Sequence, residues 1–340
     1  MDNNKFRILS IDGGGIRGIF PITVLENIEK RLKDAGRDKW QIYQNFDLIC
    51  GTSTGGIITI ALSLGIPANE IKELYLAHAD TIFGHQRNYI RQLYQSAYDR
   101  KGLENLLKKT FAKYNNGRQP RLSDCKTNVC IPVYNFMSGS LAVCKNKPYG
   151  EQDFYSDTPA YQIALATSAA PTYFAPYDAE YVDNEGVKQS LNYMVDGSVA
   201  ANNPAMIGIV ESQSAFGKRL DEIKLLSLGT GTHLYPKIKA KSEIELRLWL
   251  LKNLKLNLLE NIMQGLSHST ETMIHQLCYG VADKNIGNPL FDYRRINFKI
   301  DENKAIMMDE TDKAKLKLLE KEGIKAFNAN AECIMKDFLS

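Results

Sequence analysis

The sequence predicts an α/β fold carried on parallel strands, and three observations support that class. Short β-branched runs alternate with segments of helical periodicity between residues 6 and 64, the strand-to-helix junctions there are glycine-rich, and no repeat, low-complexity tract or Pro/Ser linker divides the 340 residues. Phe6 to Ile11 (FRILSI) is an apolar run stopped by Asp12 and three glycines, as a buried strand ends in a loop. Helix follows, with Ile19, Ile22, Leu25, Ile28 and Leu32 at spacings of three and four, and with Pro21 in the first turn, where a missing N–H costs little. Phe46 to Cys50 reads as a second buried strand, Gly51 to Gly55 as a tight turn and Gly56 to Leu64 as a helix, so the chain opens with a β-α-β-α unit. Ala68 to Phe111 is mainly helical. Asn128 to Phe136 and Leu141 to Lys145 are joined by Met137, Ser138 and Gly139 as a hairpin. Asp157 or Thr158 is placed to cap a helix with Pro159 at its first position, running to Ala170. Leu191 to Val195 is a strand ending at Asp196-Gly197, Ala205 to Ala215 a helix, and Ile223 to Leu228 a strand ending at Gly229-Thr230-Gly231. The expected organisation is a single domain over residues 1–340, with a core at about 5–230 and a helical portion at about 242–340.

Composition narrows the function classes. The 42 Lys+Arg against 39 Asp+Glu leave a net charge of +3, too little for a protein that binds nucleic acid through phosphates, and the 17 tyrosines are not interleaved with basic patches. Six irregularly spaced cysteines without a CxxC pair point to a reducing compartment. The first residues lack the basic and apolar regions of a signal peptide, so the expected location is cytoplasmic. Leu48 to Asn69 carries no charge over the length of a membrane span, but its glycines, its Thr/Ser cluster and Pro67 read as strand, turn and buried helix. No metal or cofactor is expected: Cys125 and Cys130 lack partners, no carboxylate completes a set with His268, His275 and Cys278, and there is no acidic calcium loop.

Gly51-Thr52-Ser53-Thr54-Gly55 fits G-x-S-x-G between a strand and a helix, the setting of a nucleophile elbow. Gly51 and Gly55 permit a turn that a Cβ would block, and Ser53 is presented at a helix N-terminus. Asp12-Gly13-Gly14-Gly15-Ile16-Arg17-Gly18 follows the first strand, and its backbone N–H groups can converge on an anion. It also satisfies G-x-G-x-x-G, but no acidic residue ends the second strand, and the elbow occupies the crevice a dinucleotide would need. An oxyanion hole beside Ser53 is the better explanation. Neither glycine segment has the G-K-[ST] ending of a P-loop. As base, Asp196 closes a strand and is followed by Gly197-Ser198, which puts a carboxylate at the serine's end of the sheet, whereas the five histidines lack such a setting, His233 being the nearest to one.

DGGGIRG, GTSTG and DGS, in this order and in these strand contexts, resemble the patatin family of lipid acyl hydrolases, with Ile8 to Leu32 particularly similar. The resemblance covers residues 5 to 230. It implies a three-layer α/β/α fold with a mostly parallel central sheet, Ser53 as nucleophile, Asp196 as general base, and Gly13, Gly14, Gly15 and Arg17 around the oxyanion. ATSAAPTYFAP, from Ala166 to Pro176, is similar to a further block of that family near the substrate pocket. The third motif departs from the commoner DGG or DGA, but Ser198 is small. Some compact bacterial members are defence effectors switched on by a cyclic nucleotide. For this chain that resemblance implies a cyclic nucleotide activator, with its site or an oligomer interface in the portion after Ser242.

The implied substrate is a membrane phospholipid or glycolipid, so the enzyme must reach an interface. Pro236 to Lys255 interleaves Lys237, Lys239, Lys241, Arg247, Lys252 and Lys255 with Leu246, Leu248, Trp249, Leu250, Leu251 and Leu254, a pattern suited to peripheral contact with an anionic bilayer. A Leu-rich helix is more often core or subunit interface, and that reading stands beside it. Two alternatives remain for the whole chain. One is an α/β-hydrolase in which His233, His268 or His275 completes a triad with Ser53 and Asp196; the short interval from Gly13 to Ser53 disfavours it. The other is a non-catalytic nucleotide-sensing module using the glycine loop.

Overall fold

A computed structural model of the protein describes residues 5–83, 96–147, 155–233, 257–280, 289–301 and 305–339. In chain order these hold β1 (Phe6–Ile11), α1 (Ile19–Asp34), β2 (Leu48–Gly51), α2 (Thr54–Ser63), α3 (Ala68–Phe83), α4 (Lys101–Lys113), β3 (Asn128–Asn135), β4 (Ser140–Lys145) and α5 (Ala160–Thr167). β5 (Tyr177–Val182), β6 (Lys188–Asp196), a single turn at Ser198–Ala201, α6 (Ala205–Ser214), β7 (Ile223–Leu228) and β8 (Thr232–His233) follow. The last third contributes α7 (Asn257–Tyr279), β9 (Asp292–Ile296), β10 (Lys299–Ile300) and α8 (Lys313–Cys333).

Strand residues that are apolar on both faces decide the layering, because successive side chains point to opposite sides of a sheet. Leu9, Ile11, Ile49, Val129, Ile131, Val133, Leu226 and Leu228 pack into one core with α1 to α5 and α8. Phe6, Ile8, Leu48, Cys50, Cys130, Ile223 and Leu225 pack on the other face against Ala205 and Ile209 of α6 and Ile274 and Cys278 of α7. The result is a three-layer α/β/α fold. Its sheet runs in the order β5-β6-β3-β2-β1-β7-β9, with β4 also on β3. β3, β2, β1, β7 and β9 are parallel. The charge-free Leu48 to Asn69 stretch is β2, the buried α2 and the start of α3, and no helix among the described residues is long and apolar enough to cross a membrane.

Two strands of the main sheet were not anticipated, nor was the small separate sheet of β8 and β10. β5 reads YDAEYV, with exposed polar residues on one face of an edge strand, and β9 reads DYRRI, with too few apolar positions to signal a strand. The C-terminal portion is mainly helical as expected, yet β9 extends the main sheet beside β7. The expected Asp157 or Thr158 cap does not form. α5 begins at Ala160, just after Pro159, without a side-chain cap, and the Asp157 carboxylate instead accepts the Asn184 amide at 3.0 Å. Pro236 to Lys255 lies outside the described residues.

β3 positions the site. Along one edge it pairs with β4, from Cys130↔Lys145 to Asn135↔Ser140. Its other edge is shared by two strands: β2 pairs in parallel up to Cys50↔Cys130, and β6 pairs antiparallel from Asn135↔Met194 to Val133↔Asp196. β2 and β6 therefore meet end to end, and Pro132 stands at the gap between them. It has no N–H to leave unpaired there, and its carbonyl accepts the Thr167 hydroxyl at 2.7 Å.

Helices α1 and α8 cross closely at Gly323, where an added Cβ would lie 2.7 Å from Thr23 Cβ and 2.9 Å from the Phe20 carbonyl oxygen. Gly265 in α7 has no such neighbour within 4 Å. Gly323→Ala is expected to lower stability by about 1–3 kcal/mol through overpacking, and Gly265→Ala to raise it by up to about 1 kcal/mol through helix propensity, both read by urea denaturation.

Candidate active site

Ser53 occupies the turn between β2 and α2 with φ 56° and ψ −123°. A non-glycine residue held at positive φ costs on the order of 1–3 kcal/mol and persists only where neighbours enforce it. Here they do. A Cβ on Gly51 would fall 2.1 Å from the Gly55 carbonyl oxygen, and one on Gly55 would fall 2.2 Å from that of Ile11, so both glycines are required for the backbone to close on itself. The Thr52 amide donates to Ile11 O at 3.2 Å, and the Ser53 amide donates to Thr167 Oγ1 at 3.0 Å.

Asp196 arrives from the opposite direction at the end of β6. The expectation that closing a strand would by itself place it at the serine's end assumed a parallel strand. β6 is antiparallel, and Asp196 reaches Ser53 because β6 stops at the β2 end of their shared edge. Its amide donates to Ala169 O at 3.0 Å, and its Oδ1 accepts the Ser198 amide at 2.8 Å. Oδ2 is buried and meets no donor in hydrogen-bond geometry among the described residues. Burial pushes the carboxyl up to about 6, while the nearby Ser198 and Ser53 hydroxyls draw it back. An ideal Cβ on Gly13 would lie 2.5 Å from Ser198 Oγ and 3.2 Å from Ser53 Cβ, which puts the glycine loop against both residues.

The loop itself divides between two cavities. Gly15 joins Ser53 and Asp196 in lining an apolar cavity walled by Ile57, Ile71, Leu103, Leu107, Phe111, Phe174 and Met308. Gly13 and Arg17 instead line a polar cavity with Asp12, His233, Glu260 and Arg295. The Gly13 amide is engaged by Asn202 O at 3.0 Å and that of Ile16 by Met308 O at 2.8 Å, whereas the amides of Gly14 and Gly15 donate to no acceptor among the described residues. Gly15 has φ 58°, and a Cβ there would strike the Met308 carbonyl oxygen at 2.2 Å. Together these features make a hydroxyl beside a buried carboxylate, with two donor amides, at the end of an apolar cavity.

The sequence model of the family described as Patatin-like phospholipase matches residues 9–209. The chain belongs to the patatin-like phospholipase family. Among curated relatives, a cGAMP-activated phospholipase of Vibrio cholerae is 35% identical over 244 residues, covering 67% of this chain and 64% of the relative. Patatin-like protein 2 of Arabidopsis thaliana is 34% identical over 260 residues, covering 68% and 61%. The chain thus spans less than two thirds of the length of these relatives. The crystal structure of VipD from Legionella pneumophila is similar at a TM-score of 0.40 and 13% identity, over 96% of this chain and 67% of that one.

Within this patatin-like site, the structure sets Arg17 apart from Ser53. Its guanidinium lies 3.7 Å from Glu260 and 3.4 Å from Ile306 O, so it fastens the loop to the C-terminal elements rather than lining the serine's cavity. His233 is buried behind the loop with Nε2 3.0 Å from Ile306 O. Burial, and Arg17 nearby, push it down to about 4. His268 lines the same polar cavity, and His275 packs tilted against Tyr279 with ring centroids 4.7 Å apart, so none of the three histidines lines the cavity that Ser53 and Asp196 share.

Sequence reasoning missed Thr167, Glu260 and Arg295. Thr167 ties the two halves of the site together, since its hydroxyl bridges Ser53 N and Pro132 O and its carbonyl accepts the Gly197 amide at 3.3 Å. Pro132 inside an otherwise regular strand was the available signal for that junction. Because Asp196 is raised in the folded state, its contribution favours folding below the unfolded carboxyl range and is lost as pH rises through about 6. Asp196→Asn is therefore expected to be more stable than wild type at pH 8, by up to about 3 kcal/mol, with the gap closing towards pH 4. Urea denaturation at the two pH values checks it.

Proposed function

We propose that the protein is a lipid acyl hydrolase of the phospholipase A type, acting on fatty-acyl esters of membrane phospholipids or glycolipids through a Ser53–Asp196 dyad. The observation that carries this reading is the juxtaposition of a strained, buried serine with the buried carboxylate of Asp196 at the end of an apolar cavity. Asp196 takes the Ser53 proton as Oγ attacks the ester carbonyl, and the amides of Gly14 and Gly15 receive the developing oxyanion. The lysolipid alcohol leaves with the proton. Water, deprotonated by the same carboxylate, then attacks the acyl-enzyme, frees the fatty acid and restores Ser53. The apolar cavity suits an acyl chain. None of the described histidines lines it, which supports a dyad over a triad.

The reading extends to one domain over the whole chain, since β9 joins the sheet and α7 and α8 pack on its two faces. It also includes activation by a cyclic nucleotide, on the strength of relatives named cGAMP-activated phospholipases, and cytoplasmic residence with peripheral contact at the membrane through the basic stretch from Pro236 to Lys255.

Incubation with mixed phospholipid vesicles and cGAMP, followed by mass spectrometry, should show fatty acids and lysolipids with wild type. Ser53→Ala and Asp196→Asn should each lose activity by on the order of 10³-fold or more. Unchanged release from Ser53→Ala would remove the hydrolase reading. On a soluble ester, kcat/KM of wild type should rise with pH through about 6, as Asp196 becomes a base; a flat profile from pH 5 to 8 would exclude Asp196 from that role.

A further inference from the structure

Arg295 lies on β9, in the portion after Ser242, and it is aimed at the first residue of the glycine loop. Nη1 donates to Asp12 Oδ1 at 2.8 Å and Nη2 to Asp12 Oδ2 at 2.6 Å, a bidentate pair in which both side chains are buried. Nη1 also reaches Ser227 Oγ at 2.8 Å on the neighbouring strand, where Ser227 is the register partner of Arg295. Ser267 of α7 donates to Asp12 Oδ2 at 3.2 Å and in turn accepts from Asn202 Nδ2 at 2.8 Å. Asn202 O takes the Gly13 amide, and Thr230 Oγ1 donates to Gly13 O at 2.6 Å. From Arg295 outward, a continuous hydrogen-bonded frame thus fixes Asp12 and Gly13, the residues just before the unengaged amides of Gly14 and Gly15.

We propose that Arg295 is a positioning residue for the reaction: its bidentate pair with Asp12 aims the glycine loop and neutralises a carboxylate that would otherwise oppose the oxyanion. This rests on the hydrolase reading above. A buried charge without its partner is strongly unfavourable, and a carboxylate just behind the oxyanion amides raises the energy of the negatively charged transition state more than that of the neutral ester. The pair therefore acts on kcat more than on substrate binding. Asp12 also senses Glu271 and Tyr293, and Glu271 approaches Arg295 Nε at 3.7 Å, but neither makes a second bidentate contact.

The test compares wild type, Ser53→Ala, Arg295→Met, Arg295→Lys and the double variant Asp12→Asn/Arg295→Met as full chains, with cGAMP present, on a soluble short-chain nitrophenyl ester. Active sites are counted with a fluorophosphonate, so that misfolded protein does not enter the rate. Arg295→Met should lower kcat per active site by about 10- to 100-fold with KM within about twofold of wild type. The double variant, which removes both charges, should recover at least about fivefold of that loss. Wild-type kcat per site in Arg295→Met, or a double variant no faster than the single one, would overturn the proposal. If Arg295→Met gives no titratable protein, Arg295→Lys decides: a fall of about 3- to 10-fold is expected because the bidentate geometry is lost, and an unchanged kcat refutes it. Failure of the fluorophosphonate to label Ser53 in wild type overturns the hydrolase reading itself, and the role of Arg295 with it.

Discussion

β3 has two edges, and three strands use them. β4 occupies one from Cys130 to Asn135, so β2 and β6 must divide the other, running towards each other and stopping on either side of Pro132. The C-terminal ends of the two strands meet there, and the chain has to turn out of the sheet at both. The turn after β2 presents Ser53, and the end of β6 presents Asp196. Two groups 143 positions apart in sequence are brought together by ordinary ladder pairing, before any contact between their side chains is considered. The carbonyl that neither strand takes goes to Thr167, and Thr167 holds Ser53 N and Gly197 N, so the gap in the ladder becomes the fastening of the site.

The glycine loop depends on a different set of elements. It emerges from β1 between β2 and β7, and its serine side is open to the apolar cavity, which Met308 also walls, while its far side is held by α7 and β9. Glu260 illustrates the economy of that backing: one carboxylate accepts the Met308 amide at 3.1 Å and lies 3.7 Å from the Arg17 guanidinium. Charged groups are therefore concentrated behind the loop and apolar ones in front of it. The serine side of the loop thus meets hydrocarbon, and the polar framework behind it holds backbone amides.

Most of the core was legible in the sequence because its signals are local. FRILSI, FDLIC and IKLLSL are continuous apolar runs, and Gly51 is required by a contact with Gly55 O within its own β-α turn, although Gly55 is required by the approach of Ile11 O from β1. Long-range pairings were not legible. The direction of β6 cannot be read from LNYMV, since a parallel and an antiparallel strand share the same period. DYRRI carries two arginines, and only the buried Asp12 explains why one of them enters a sheet. Arg17 shows the opposite error: as part of the DGGGIRG motif it was assigned to the oxyanion, but a long side chain can turn away from its own loop, and here it does.

The antiparallel course of β6 also separates what the hairpin with β5 must conserve from what it is free to change. Asp196 takes its height from the Val133 pairing, whereas the β5–β6 turn around Asp183 to Val187 lies about 25 Å away along the strand. Residues can be gained or lost at that turn without altering the pairing at Asp196. The hairpin can lengthen, shorten or acquire an insertion while the placement of Asp196 beside Ser53 stays the same, which leaves the size and surface of this edge free to vary.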